Sequence, residues 1–155
     1  MKIYKKAILP VGFKASGISS KIKRSGKPDL ALLYSHPPAR GAGLFTVNKI
    51  QAAPVVLCKK LLAKKGYFRA IIANSGNANC FNAKNGLKDS LDLIRELAKA
   101  LKVDKNEILV SSTGIIGKRL PVVKIKSAMP DLINKLSPAG INRAAEAIMT
   151  TDTFP

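Results

Sequence analysis

The sequence has no tryptophan, one histidine, two cysteines and only nine acidic residues among 155. Each shortage removes a class of function. With His36 alone, neither a histidine-based zinc site nor a Ser-His-Asp triad has the material it needs. His36 stands before Pro37 and Pro38 and reads as a loop residue rather than a catalyst. Cys58 and Cys80 show no metal-ligand spacing. A single disulfide between them is open, but two cysteines are weak evidence for an oxidising compartment. They read as free thiols, at least partly buried. Aromatics make up 5% of the chain, too few for base stacking to be a theme. No stretch approaches the run of about 18 apolar residues that a membrane span needs. The opening "MKIYKKAILPVGFKASG" lacks the apolar centre of a signal peptide. These shortages predict a soluble, cytoplasmic protein with no membrane partner.

What is present is a core composition and a surplus of positive charge. Apolar residues are 46%, enough for a packed interior. Lys and Arg number 27 against the nine acids, a net charge of +18. Such an excess is either an electrostatic footprint for nucleic acid or anionic membrane, or a solvated lysine surface. Lysine far outnumbers arginine, and arginine is the better reader of phosphates and bases. The lysines are scattered, with short runs such as Lys59-Lys60 and Lys64-Lys65. Nucleic-acid binding is the weaker of the two readings.

Along the chain the first half reads as strands and turns. "DLALLYS" (29–35) is an apolar run ending at a His-Pro-Pro turn, where proline removes backbone donors. "GLFTVNKI" (43–50) mixes β-branched and aromatic residues with polar ones. "APVVLC" (53–58) and "FRAIIANSG" (68–76) look like buried strands. Between them "KKLLAKKG" suits a short helix closed by Gly66. The second half turns helical. Leu87, Leu91, Ile94, Ala98 and Leu101 recur at helical spacing and predict one apolar stripe against a core. "EILVSS" (107–112) is a strand. "VVKIKSAMPDLINKL" is helical, with Pro130 as a kink or a break. "SPAGINRAAEAIM" offers Ser137 as N-cap and Pro138 at the first helical position. Strands alternating with helices argue for an α/β protein.

Chemistry would gather at polar, glycine-bearing turns after these elements. In "SSTGIIG" (111–117) a glycine after a small hydroxyl residue lets backbone N–H groups point outward, where two donors could hold an oxyanion or a phosphate. An ordinary turn satisfied by its own hydroxyl fits equally well. "NSGNAN" (74–79) reads more readily as a structural turn than as a site. "GAGLFT" (41–46) lacks the glycine spacing and the lysine of nucleotide loops. The end of the chain, "AIMTTDTFP" (147–155), crowds three threonines round one aspartate. Such a cluster suits hydrogen bonding to a polar small molecule, or a helix end fraying in polar residues. The pattern supplies a polar cleft but no nucleophile, base or leaving group.

In this order, these segments resemble the ornithine acetyltransferase family, also called the bifunctional glutamate N-acetyltransferase family. The likeness spans nearly the whole chain: "GFKASGISSKIKRSGKPDLAL", "GLFTVNKIQAAPV", "RAIIANSGNAN", "ILVSSTGIIGKRLP" and "LSPAGINRAAEAIMTTDTFP". The specific part is "NSGNAN", "STGIIG" and "IMTTDTFP" at these spacings. The resemblance implies an acyltransferase of arginine biosynthesis that moves acetyl from N-acetylornithine to glutamate, with acetyl-CoA also a donor in some members. It implies no cofactor. It implies a precursor that cuts itself before a threonine, which becomes the N-terminus of a β chain and the nucleophile. An α-amino group of pKa about 7.7–8.0 can serve such a threonine as base. The implied fold is α/β, with β-sheets sandwiched between helices, and the implied assembly pairs two α with two β chains.

Position by position, Thr113 and Gly114 match the family's oxyanion-stabilising pair. Thr150 matches its substrate-contacting threonine. No role carries over to Thr151, Thr153 or "NSGNAN". Two features depart from the pattern. Cys80-Phe81 follows "NSGNAN" where members usually carry small residues. The family pattern also runs on past residue 155, through a substrate-binding lysine, the self-cleavage site, the nucleophilic threonine and the β chain. The expectation is an N-terminal α-chain domain over 1–155, incomplete at its C-terminus and inactive alone, with apolar surface meant for the missing portion. The rival readings are a basic nucleic-acid-binding module and a non-functional gene remnant.

Overall fold

Strict alternation of burial along "YFRAIIAN" and the largely buried apolar run "LALLYS" mark these segments as strands. In the computed structural model, which describes residues 7–152, they are the two central strands of a four-stranded sheet. The strands are β1 (Phe13–Ile18), β2 (Leu30–Arg40), β3 (Tyr67–Asn74) and β4 (Ile108–Ser112), side by side in that order. β2 runs antiparallel to both β1 and β3. β4 runs parallel to β3, so the chain must cross over between them. The crossover is the long helix α2 (Ala83–Leu101).

Helices cover both faces. α1 (Ala53–Lys64), α2 and α3 (Val122–Asn134) pack on the face that carries Leu30, Leu32, Ile72, Ile108 and Val110. α4 (Ile141–Ile148) lies on the other face, where Ala144 and Ala147 meet Ala15 and Ala31. Those small side chains let helix and sheet approach closely. At Gly17 a side chain would run into the Arg143 carbonyl of α4. The α/β class and the sheet between helices are as expected.

Several local expectations give way. Residues 53–58 are not a strand but the first half of α1. A short apolar run cannot by itself separate strand from helix. Read on to Lys64, the buried positions Pro54, Leu57, Cys58 and Leu61 fall at helical spacing, and Pro54 suits the first turn. Residues 43–50 form no strand. β2 does not stop at the His-Pro-Pro sequence. Its pairing with β3 slips between Tyr34 and Ala39, so the prolines sit where no ladder bond is needed. α3 runs through Pro130, which faces solvent while Met129 and Leu132 anchor the helix in the core. Ser137 is not an N-cap. Its amide and carbonyl bond reciprocally with Ala15, and the helix begins at Ile141 after Gly140. The buried stripe of α2 is Leu93, Ile94, Leu97 and Ala98, preceded by Gly86, Asp89 and Ser90. Leu87, expected inside, is exposed.

Candidate functional site

β3 and β4 end side by side, with Asn74 paired to Ser112. This brings "NSGNAN" and "SSTGIIG" together. The Ser112 hydroxyl donates to Asn74 Oδ1 at 2.7 Å, and Asn74 Nδ2 donates to the Asn77 carbonyl at 2.8 Å. The Thr113 amide donates to the Asn74 carbonyl at 2.9 Å. Beyond it Gly114 adopts φ +120°, and a side chain there would meet the Gly76 carbonyl carbon at 2.5 Å. Only glycine fits, by conformation and by space. The Ala78 amide donates to the Ile115 carbonyl, and the Gly117 amide to that of Cys80. The two turns therefore lie backbone against backbone.

The asparagines bind the scaffold. Asn77 Nδ2 reaches the Lys118 carbonyl at 3.1 Å. Asn79 Nδ2 reaches the Gly86 carbonyl at 2.7 Å and Ser90 Oγ at 2.9 Å. Both residues are buried, and their amides are occupied by the protein itself. This agrees with the structural reading of that turn. Thr113 and Gly114, by contrast, are exposed. Among the described residues, the Thr113 hydroxyl and the Gly114 amide have no hydrogen-bond partner. A hydroxyl and an amide at adjacent positions on a rigid turn are suited to a developing oxyanion. The Thr113 amide is already engaged and is not one of these donors.

Thr150 sits just beyond α4 and is exposed. Its amide donates to the Asp152 carboxylate at 2.9 Å. It lines a cleft of about 480 Å³ with Lys23, Lys27, Glu146 and Asp152. No hydrogen bond joins Thr150 to the Thr113–Gly114 turn among the described residues. The two are ends of one lattice. Ser75 Oγ donates to the Ala147 carbonyl at 2.6 Å. Lys23 Nζ donates to the Met149 carbonyl at 2.6 Å and the Pro28 carbonyl at 2.8 Å. A side chain on Gly76 would come within 3.0 Å of the Lys23 stem. Lys23 thus spans from the Gly76 turn to the residue before Thr150. Burial pulls its ammonium below the usual lysine value, and Asp29 opposes that shift.

Asp29 holds this arrangement and was not singled out by sequence reasoning. It is fully buried. Its carboxylate accepts from the Ser20 amide and hydroxyl at 2.6 and 2.7 Å, and from the Ile22 and Lys23 amides at 2.7 and 2.9 Å. Its carbonyl accepts from the Ser75 amide. A signal existed: Asp29 is the lone acid in the Lys- and Ser-rich "SSKIKRSGKPD".

The remaining candidates lie elsewhere. His36 is exposed on β2, with Nδ1 2.7 Å from the Arg69 guanidinium. Cys58 is buried beside the Val110 backbone, and burial pushes its thiol pKa up. Cys80 is half-buried, and both thiols are free. Thr151 is exposed, and Thr153 lies outside the described residues. Among the described residues, no group of three or more His, Cys, Asp or Glu could hold a metal ion. No helix among them is long and apolar enough to cross a membrane.

Known proteins are similar to this chain in sequence and fold. The model of the ArgJ family matches residues 14–155. The arginine biosynthesis bifunctional protein ArgJ of Gloeobacter violaceus is 46% identical over 141 residues, covering 91% of this chain and 35% of that protein. The glutamate N-acetyltransferase of Methanocaldococcus jannaschii is 45% identical over 148 residues, covering 94% and 35%. The crystal structure of ornithine acetyltransferase complexed with ornithine from Mycobacterium tuberculosis superposes with a TM-score of 0.90 at 38% identity, over 94% of this chain and 79% of that one. That of ArgJ from Bacillus halodurans gives 0.86 at 36% identity, over 92% and 74%. None of these is named for nucleic acid, and that reading gains no support. The chain spans about a third of the length of the relatives it matches by sequence. By sequence along almost its whole length, and by fold, the chain belongs to the ArgJ family.

Proposed function

We propose that this chain supplies one part of an acetyl-transfer site: the oxyanion-stabilising turn Thr113–Gly114 and the substrate-contacting Thr150. The reaction is transfer of acetyl from N-acetylornithine to glutamate in arginine biosynthesis, with acetyl-CoA as a second donor where the complete protein accepts it. The nucleophile is a threonine outside these 155 residues, freed by self-cleavage. Its hydroxyl attacks the acetyl carbonyl and forms an ester as the amide C–N bond of N-acetylornithine breaks and ornithine leaves with the hydroxyl proton; the amine of glutamate then displaces the threonine oxygen, which takes a proton back. While each tetrahedral intermediate carries its negative oxygen, the Thr113 hydroxyl and the Gly114 amide donate to it. No cofactor enters, and the reaction takes place in the cytoplasm. The assembly is two α and two β chains.

The observation that carries this reading is a hydroxyl and an amide, unpaired among the described residues, on a turn clamped against Gly76. Exposed apolar side chains beside it support a missing portion. Ile115 and Ile116 are 63% and 61% exposed, and Ile71 on the open part of the sheet is 42% exposed. The test is to express the chain together with the remaining two thirds of an ArgJ relative and to assay acetyl transfer from N-acetylornithine to glutamate. The combination should be active and the chain alone inactive. Thr150→Ala should raise KM for the amino-acid substrate. Full activity of Thr150→Ala at unchanged KM would remove Thr150 from the site.

A further inference from the structure

Beside the Thr113–Gly114 turn, a cleft of about 460 Å³ opens between the loop after β1 and the start of α3. Ten residues line it, and five are cationic: Lys23, Arg24, Lys118, Arg119 and Lys124. No carboxylate is among the ten. Neighbouring clefts differ. The one at Thr150 sets Glu146 and Asp152 against Lys23 and Lys27. The one between β1 and α4 sets Asp131 against Lys135 and Arg143. Across the chain, cations occupy 27 of 155 positions; in this cleft they occupy half.

The scaffold fixes both walls. Asp29 holds the amides of Ile22 and Lys23. Asn77 holds the Lys118 carbonyl. Lys124 Nζ donates to the Lys21 carbonyl at 2.7 Å and ties one wall to the other. Backbone carbonyls engage Lys23 Nζ and Lys124 Nζ, and two charges remain available. Among the described residues, the Arg24 and Lys118 side chains have no partner, and Arg119 reaches Asp89 only at 3.5 Å. Like charges gathered on fixed backbone repel one another unless an anion lies between them. One carboxylate cannot answer both free cations, Arg24 and Lys118. Adjacent phosphates can, and the arginine fork matches their oxygens.

We infer that this cleft binds the diphosphate group of a small molecule. The inference does not depend on the acyl-transfer reading and can stand or fall separately from it. The same chemistry is offered by free diphosphate, by a nucleoside diphosphate and by a nucleotide-linked thiol such as coenzyme A.

The test is calorimetric titration of the 155-residue chain with inorganic pyrophosphate, ADP and coenzyme A at one ionic strength. Arg24→Ala/Lys118→Ala removes two charges from the cleft. Lys59→Ala/Lys60→Ala removes two exposed charges from α1, away from it. The cleft variant should bind about tenfold more weakly or worse, the scale of a lost charge-assisted hydrogen bond, and the α1 variant should bind like the original chain. Pyrophosphate should raise Tm of the original chain and the α1 variant, but not of the cleft variant. A tighter complex with ADP or coenzyme A than with pyrophosphate identifies a nucleotide as the source; equal or weaker binding identifies free diphosphate. Equal losses in the two variants would reduce the effect to diffuse charge and overturn the inference. So would the absence of saturable binding by the original chain.

Discussion

On the sheet face covered by α1, α2 and α3, the buried side chains include Leu32, Ile72, Leu97 and Ile125. At the end of the sheet where β3 and β4 stop, they include Asn74, Ser75, Asn77 and Asn79. The first region is held by non-directional burial, which depends on volume and tolerates apolar exchange. The second is held by hydrogen bonds of fixed direction and by backbone touching backbone. Such a lattice sets the positions of Thr113, Gly114 and Thr150 without filling the space above them. A site needs that combination of rigid support and vacant donors.

Substitutions can set the two regions against each other. Leu97→Ala in the apolar core should have the largest effect, a loss of about 2–5 kcal/mol in urea unfolding. Next comes Gly114→Ala, which meets both a positive φ and the Gly76 backbone. Gly117→Ala isolates the conformational part, because Gly117 sits at φ +74° in open space. It should cost about 1–2 kcal/mol, and Gly114→Ala should cost more; equal costs would show that the contact between the two turns is soft. Asp29→Asn keeps the shape but places an amide N–H among donors. It should cost about 1.5–3 kcal/mol, and amide exchange at Ile22 and Lys23 should quicken. Ser75→Ala removes one bond to α4 and should cost about 1 kcal/mol, with faster exchange confined to the end of that helix.

The smallest effect belongs to the exposed Lys65–Asp104 pair. The Asn106 amide, and after it Lys65, holds the Asp104 carboxyl below its usual pKa. A carboxyl depressed in this way contributes its stability above the ordinary aspartate pKa of about 3.9. That contribution disappears as pH falls through the lower folded value. Asp104→Ala should therefore lower Tm slightly at neutral pH, and the difference from the original chain should vanish in acid.

Much of the fold was legible where turn residues bound an apolar run or one period dominates. β3 and β4 are short apolar runs bounded by turn residues, and α2 carries helical spacing. α1 was misread because its first six residues are continuously apolar and its period emerges only on reaching Leu61. Ser137 was misread because its backbone closes against Ala15, a contact 122 positions away that no local pattern announces. The candidate site was legible as motifs, since glycine turns and clustered threonines mark themselves. Its support was not. Asp29 and Lys23 act through bonds to Ser20, Ser75 and Met149, and those pairings exist only once the strands are in place.

The central claim is that Thr113 and Gly114 stabilise the negative oxygen of acetyl transfer. It is tested most directly by kcat of Thr113→Val in the chain joined to the rest of an ArgJ relative. Valine keeps the shape and removes the hydroxyl, while the Thr113 amide bond to Asn74 remains. The account predicts a fall of about 10²–10³ in kcat with Tm nearly unchanged. An unchanged kcat would contradict it.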